Sequence, residues 1–112
     1  MGDTSLTLIR GTLDLLILKA LSTGEKHGYA VSEWIERVTS GKLLVEEGTL
    51  YPALHRLERR RLVAAEWGLS DNNRRAKYYR LTPRGAKHLA REETNWRSYT
   101  AAVARALSER AG

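Results

Sequence analysis

The sequence contains no cysteine, which excludes a disulfide framework, a thiolate zinc site and a cysteine nucleophile. It also lacks a long apolar run. The longest, Leu13 to Leu21, is interrupted by Asp14 and Lys19, and it is too short to span a bilayer or to serve as a signal peptide with a cleavage site. There is no Gly-x-Ser-x-Gly turn and no phosphate-cradling glycine loop. Adjacent carboxylates occur only as Glu46-Glu47 and Glu92-Glu93, on expected helix flanks or exposed helix faces. His27, His55 and His88 are too scattered in sequence to suggest a metal-ligand set. The expectation is a soluble cytoplasmic protein, not an enzyme, with no cofactor, no metal and no membrane association.

What the chain does have is positive charge. Its 112 residues carry a formal net charge of +6 and a sequence pI of about 10.0, which favours a polyanionic partner such as nucleic acid. A chain of this length forms one core and buries about two thirds of its unfolded surface.

Hydrophobic periodicity predicts four helices and a hairpin, without internal repeats or low-complexity linkers. The first helix is expected over about Gly11 to Leu21, apolar at Leu13, Leu16, Ile17, Ala20 and Leu21, with a stripe wide enough to be buried on more than one side. The second is expected over about Tyr29 to Thr39, with Val31, Trp34, Ile35 and Val38 at helical spacing between Gly28 and Gly41. Leu43, Leu44 and Val45 suggest a brief strand over Lys42 to Val45. A third helix is expected from Gly48 or Thr49, with Thr49 as N-cap and Pro52 in the first turn, where its missing N–H breaks no bond. Strands over Leu62 to Trp67 and Ala76 to Leu81 enclose a loop over residues 68–75. Thr82-Pro83 then reads as a cap and first helical residue. The last helix is expected to run to about Arg110, about 27 residues or roughly 40 Å.

The third helix is apolar on one side, at Leu50, Leu54 and Leu57, and cationic on the other, at His55, Arg56 and Arg59. A basic hairpin follows at once. Helix followed by basic hairpin is the order of a winged helix. The fold class read from the chain is therefore mainly α with a small β-hairpin (α+β): a winged helix-turn-helix over residues 1–82 and a long C-terminal dimerisation helix over 83–112.

The chain resembles short-form PadR transcriptional regulators over nearly its whole length. The resemblance is carried by Gly11-Thr12-Leu13-Asp14-Leu15-Leu16, by His27-Gly28-Tyr29, by the run from Gly48 through Pro52 to Glu58, and by Tyr78-Tyr79-Arg80-Leu81-Thr82 followed by Gly85. The stretch from Asn72 to Tyr79, with Glu92 to Trp96, is similar to the subgroup often called acidobacterial PadR-like proteins. The resemblance implies a dimeric winged-helix repressor. Family members commonly carry glycine between the recognition helix and the next strand, where this chain has Arg61. Either that turn is built differently here, or Arg61 tolerates a left-handed backbone and offsets the strain by holding a phosphate.

For binding to a double-stranded DNA operator, Thr49, Tyr51, Pro52, His55, Arg56 and Arg59 form the candidate reading face, since arginine can read guanine bidentately and histidine or threonine can add single bonds. Thr49 alternatively only caps, and Tyr51 only packs. On the wing, Asn73, Arg74, Arg75 and Lys77 are candidates for phosphate or minor-groove contact. Along the last helix, Leu89, Trp96 and Val103 recur at sevens, with Tyr99, Ala106 and Leu107 beside them, a seam suited to a homodimer interface. Folding of the seam onto the first helix is the alternative. Trp96 and Tyr99 have two readings. One is plain dimer core. The other, taken from drug-sensing relatives, is a surface that stacks a small planar aromatic ligand and releases the repressor. Two other functions stay open: a constitutive DNA-binding protein without an effector, and a winged-helix protein-protein adaptor.

Overall fold

A computed structural model describes residue 8 and residues 11–110. Its elements are α1 (Thr12–Ser22), β1 (Lys26–His27), α2 (Gly28–Val38), α3 (Glu47–Arg59), β2 (Val63–Leu69), β3 (Arg75–Leu81) and α4 (Pro83–Leu107). The three strands form one antiparallel sheet in the order β1-β3-β2. Helices α1, α2 and α3 bury their apolar faces together against this sheet. Ile17, Leu18, Val31, Ile35, Leu50, Leu54, Leu57 and Tyr79 are buried in the centre, and Leu89 of α4 closes one side. This is a winged helix, α+β, with a long helix appended.

The third strand is not where the sequence placed it. Lys26 and His27 pair with Tyr79 and Tyr78, whereas Lys42 to Val45 has no strand structure. Leu43 and Val45 nevertheless pack against the core, so their apolar character reflects burial without a ladder. The strand signal at Lys26-His27 is weak because His27 has two roles: it ends β1, and its Nδ1 accepts the Ala30 backbone N–H at 3.2 Å as the N-cap of α2.

Helix α3 begins at Glu47 with Glu46 as N-cap, so the cap lies three residues before the expected Thr49. The Thr49 and Leu50 N–H groups both donate to the Glu46 carbonyl, which draws the first turn back toward the loop. Pro52 thus lies inside the helix, and the bond its N–H would have given Gly48 is lost. Gly48 is exposed, so solvent can reach its carbonyl. The strands are longer than expected and the turn between them shorter, residues 70–74, while α4 ends at Leu107.

Two junctions orient the wing and α4 on this core. Arg61 has a φ of 61°; its N–H donates to the Glu58 carbonyl, and the Leu62 N–H donates to the Leu57 carbonyl. This is the paired-bond pattern that closes a helix with a left-handed residue. Thr82 caps α4 by accepting the Gly85 N–H at 2.9 Å, and its hydroxyl reaches back to the Arg61 carbonyl at 2.8 Å. A side chain at Gly85 would collide with the Leu62 carbonyl oxygen, so only glycine lets α4 start this close to the recognition-helix exit.

Beyond Thr100 every described residue of α4 is exposed. The molecule measures 61 × 40 × 21 Å with a radius of gyration of 16.1 Å, above the roughly 13 Å of a compact chain this long. The first turns of α4 belong to the core and the last turns overhang it. Of the two-part division at residue 82, residues 1–7, 9, 10, 111 and 112 lie outside the described residues.

Candidate nucleic-acid interface

The helical period divides α3 as the sequence suggests. Leu50, Ala53, Leu54 and Leu57 are buried, and Thr49, Pro52, His55, Arg56 and Arg59 are exposed. Tyr51 is different: it is half-buried and packs against the core. A Cβ added at Gly28 would stand 2.6 Å from its ring, so the glycine at the start of α2 makes room for this tyrosine. Burial, and then the Glu47 carboxylate, pushes its hydroxyl pKa up. Arg56 is also engaged. Its Nη2 donates to Oδ1 of Asp14 on α1 at 2.8 Å, which leaves its side chain about half exposed.

The wing is a tight loop. The Ser70 N–H donates to the Arg74 carbonyl at 2.8 Å and the Asn73 N–H to the Ser70 carbonyl at 2.9 Å, with Asn73 at a φ of 59°. Asn73, Arg74 and Arg75 are exposed there. Lys77 lies lower on the hairpin, where its Nζ is 3.3 Å from Glu58 of α3. That pairing ties the wing to α3 and partly neutralises one candidate phosphate ligand.

The structure adds a residue that the charge pattern did not single out. Trp67 is exposed on β2, and the Arg75 guanidinium lies 4.6 Å over its ring, a cation–π contact that restrains the arginine. Trp67 and Lys77 are directly paired across β2 and β3, so both point to one side of the sheet. Period-two counting from the buried Val63 through Ala65 would have placed Trp67 on that side. With Tyr29, Tyr51, Arg74 and Arg75 it lines a cleft of about 420 Å³ between the start of α2 and the wing, walled by aromatic rings and cationic side chains.

On α4, Leu89 is enclosed by its own chain, so the exposed part of the predicted seam begins later. Trp96 is half-buried, its ring 6.2 Å from that of Tyr99; Tyr99, Val103, Ala106 and Leu107 are exposed, Leu107 to 80%. Between α1 and α4 lies a second cleft, about 470 Å³, lined by Asp14, Leu15, His88, Glu92, Trp96 and Tyr99 among others. It combines the Trp96 and Tyr99 rings and two carboxylates with the Arg60 guanidinium and the His88 imidazole. Among the described residues no cluster of His, Cys, Asp or Glu could hold a metal ion, and no helix is long and apolar enough to cross a membrane.

Residues 17–91 match the model of the transcriptional regulator PadR-like family. The chain is 36% identical over 90 residues to uncharacterized protein X of Lysinibacillus sphaericus, covering 80% of this chain and 82% of that protein. It is 34% identical over 102 residues to the transcriptional regulator Rv3488 of Mycobacterium tuberculosis, covering 82% and 92%. A crystal structure of a PadR family transcription regulator from Clostridium difficile superposes with a TM-score of 0.74 at 29% identity, covering 88% of this chain and all of that one. The chain belongs to the PadR-like family of transcriptional regulators, and by that membership is a regulator rather than an enzyme.

Proposed function

We propose that this PadR-like regulator is a cytoplasmic homodimeric repressor that binds a two-fold DNA operator and is released by a small planar aromatic ligand. The observation that carries DNA reading is the juxtaposition of two cationic elements: the exposed Thr49, Pro52, His55, Arg56 and Arg59 face of α3, and the wing with Asn73, Arg74 and Arg75. The helix supplies groups that read base edges in a major groove, and the wing supplies sequence-independent hold on phosphate. Residues 1–82 act as the reading unit and 83–112 as the dimerisation helix. The exposed Tyr99, Val103, Ala106 and Leu107 of the overhanging helix, with Trp96 beside them, favour pairing with a second copy. Trp96 and Tyr99, with Asp14 and Glu92 in the same cleft, favour a planar ligand that carries positive charge.

Reading and holding are separable by substitution. Arg56→Ala is expected to cost about 1–3 kcal/mol at the operator and to relax its sequence preference, whereas Arg74→Ala or Arg75→Ala should weaken binding to every duplex and flatten the salt slope by about one unit for each phosphate no longer held. Fluorescence anisotropy on operator and unrelated duplexes across a salt series measures both effects. Preserved specificity in Arg56→Ala would remove that residue from the reading face.

A further inference from the structure

One carboxylate belongs to two places in this fold. Asp14 lines the cleft between α1 and α4 together with Trp96, Tyr99 and Glu92, and its Oδ1 also accepts the Nη2–H of Arg56 on the recognition helix at 2.8 Å. The two residues are 42 positions apart in sequence, so the contact links separate helices. Arg60, one turn beyond Arg56, lines the same cleft. The pair is partly exposed, with 49% of the arginine side chain and 26% of the aspartate side chain accessible. A pair so placed adds little to folding stability, but it restricts a flexible guanidinium to one orientation while leaving other N–H groups of its fork to face DNA.

We propose that Asp14 is the joint between the α1–α4 cleft and the recognition helix. It is a positioning residue that aims Arg56, and an aromatic cation bound in the cleft competes with Arg56 for the same carboxylate. The inference rests on the reading of α3 as the DNA-reading helix and assigns its regulation. Without a cation in the cleft, Asp14 holds Arg56 in place for a base edge. With a cation seated against Trp96, the carboxylate turns to the cation, Arg56 loses its anchor, and discrimination between operator and other DNA falls. Linkage makes the effect reciprocal: operator DNA must weaken the cation by the same factor by which the cation weakens the operator complex.

The test uses the full chain, duplexes selected by it from a random pool, an unrelated duplex, and 1-methylquinolinium, a small planar aromatic cation, as the ligand. Asp14→Asn is expected to reduce the ratio of operator to unrelated affinity by about tenfold, while thermal melting stays near that of the unsubstituted chain. In an Arg56→Ala background the same change should have no further effect on the ratio. 1-Methylquinolinium should weaken the operator complex of the unsubstituted chain and leave those of Asp14→Asn and Arg56→Ala unaffected. Its quenching of Trp96 fluorescence, identified by loss of the signal in Trp96→Phe, reports occupancy directly. If Asp14 acts only by repelling phosphate, Asp14→Asn raises affinity for both duplexes equally and the ratio is unchanged, which overturns the proposal. Independent, multiplying effects of Asp14→Asn and Arg56→Ala overturn it as well, as does a cation that quenches no tryptophan. Failure of the unsubstituted chain to prefer any duplex would overturn the reading beneath it, and the joint with it. That outcome is distinct, since it appears before any substitution is made.

Discussion

Arg61 holds a backbone conformation that glycine would adopt at lower cost. Its φ of 61° and the two bonds that close the helix around it realise the left-handed option that the sequence leaves open for this turn. No described hydrogen bond from its side chain offsets the strain, and the side chain is exposed. Arg61→Gly should therefore raise stability by about 0.5–1 kcal/mol, reduced by the entropy the unfolded chain gains, as measured by urea denaturation. A decrease would mean that the arginine side chain stabilises the fold by more than its backbone costs. At this scale, residue type alone was informative where geometry demanded it. Thr82 and Pro83 read correctly as cap and first residue of α4 because both act locally. Tyr51 was ambiguous because its placement depends on Gly28, 23 positions earlier, a contact that no local pattern reveals.

Among the elements, the helices were legible and the sheet only in part. A stripe of leucines fixes the buried side of α3 wherever the helix starts, but the start itself is decided by which carbonyl the first N–H groups find. Here that is Glu46 rather than a side chain of Thr49. The consequence falls on Pro52, which lies within the helix instead of at its entrance. Pro52→Ala should restore the bond to Gly48 and raise stability by about 1–2 kcal/mol, part of the intrinsic helix penalty of proline being offset by its stiffening of the unfolded chain. Thermal unfolding monitored by circular dichroism measures this, and an unchanged or lower Tm would show that the helix entrance depends on the ring. The hairpin was visible through β-prone residues around a turn rich in Asp and Asn. Strand β1 was not, because two residues carry no period and Leu43-Leu44-Val45 mimic a strand, although Leu43 and Val45 only cover the core and Leu44 is exposed.

For the whole molecule, α4 is the decisive element. Its 25 residues begin as core and end as an overhang whose Tyr99, Val103 and Leu107 are left to solvent. Sequence spacing placed Leu89 in the expected seam, yet Leu89 is buried within its own chain, because a heptad does not distinguish a partner from the chain's own core. Burial of the exposed part against a second copy predicts sedimentation at twice the 12.7 kDa chain mass at micromolar concentration. Val103→Lys combined with Leu107→Lys should shift the population to monomer without unfolding it, since neither residue belongs to the buried core. A monomer before substitution would remove the dimer.

The central claim, that the α3 face and the wing together read a two-fold operator, is tested most directly by selecting duplexes from a random pool with the full chain and measuring their affinity against salt. The expected result is an enriched sequence with two inverted half-sites centred roughly 34 Å apart, and an affinity that falls steeply as salt rises. A pool that shows no enrichment, bound with an affinity that salt does not change, would contradict it.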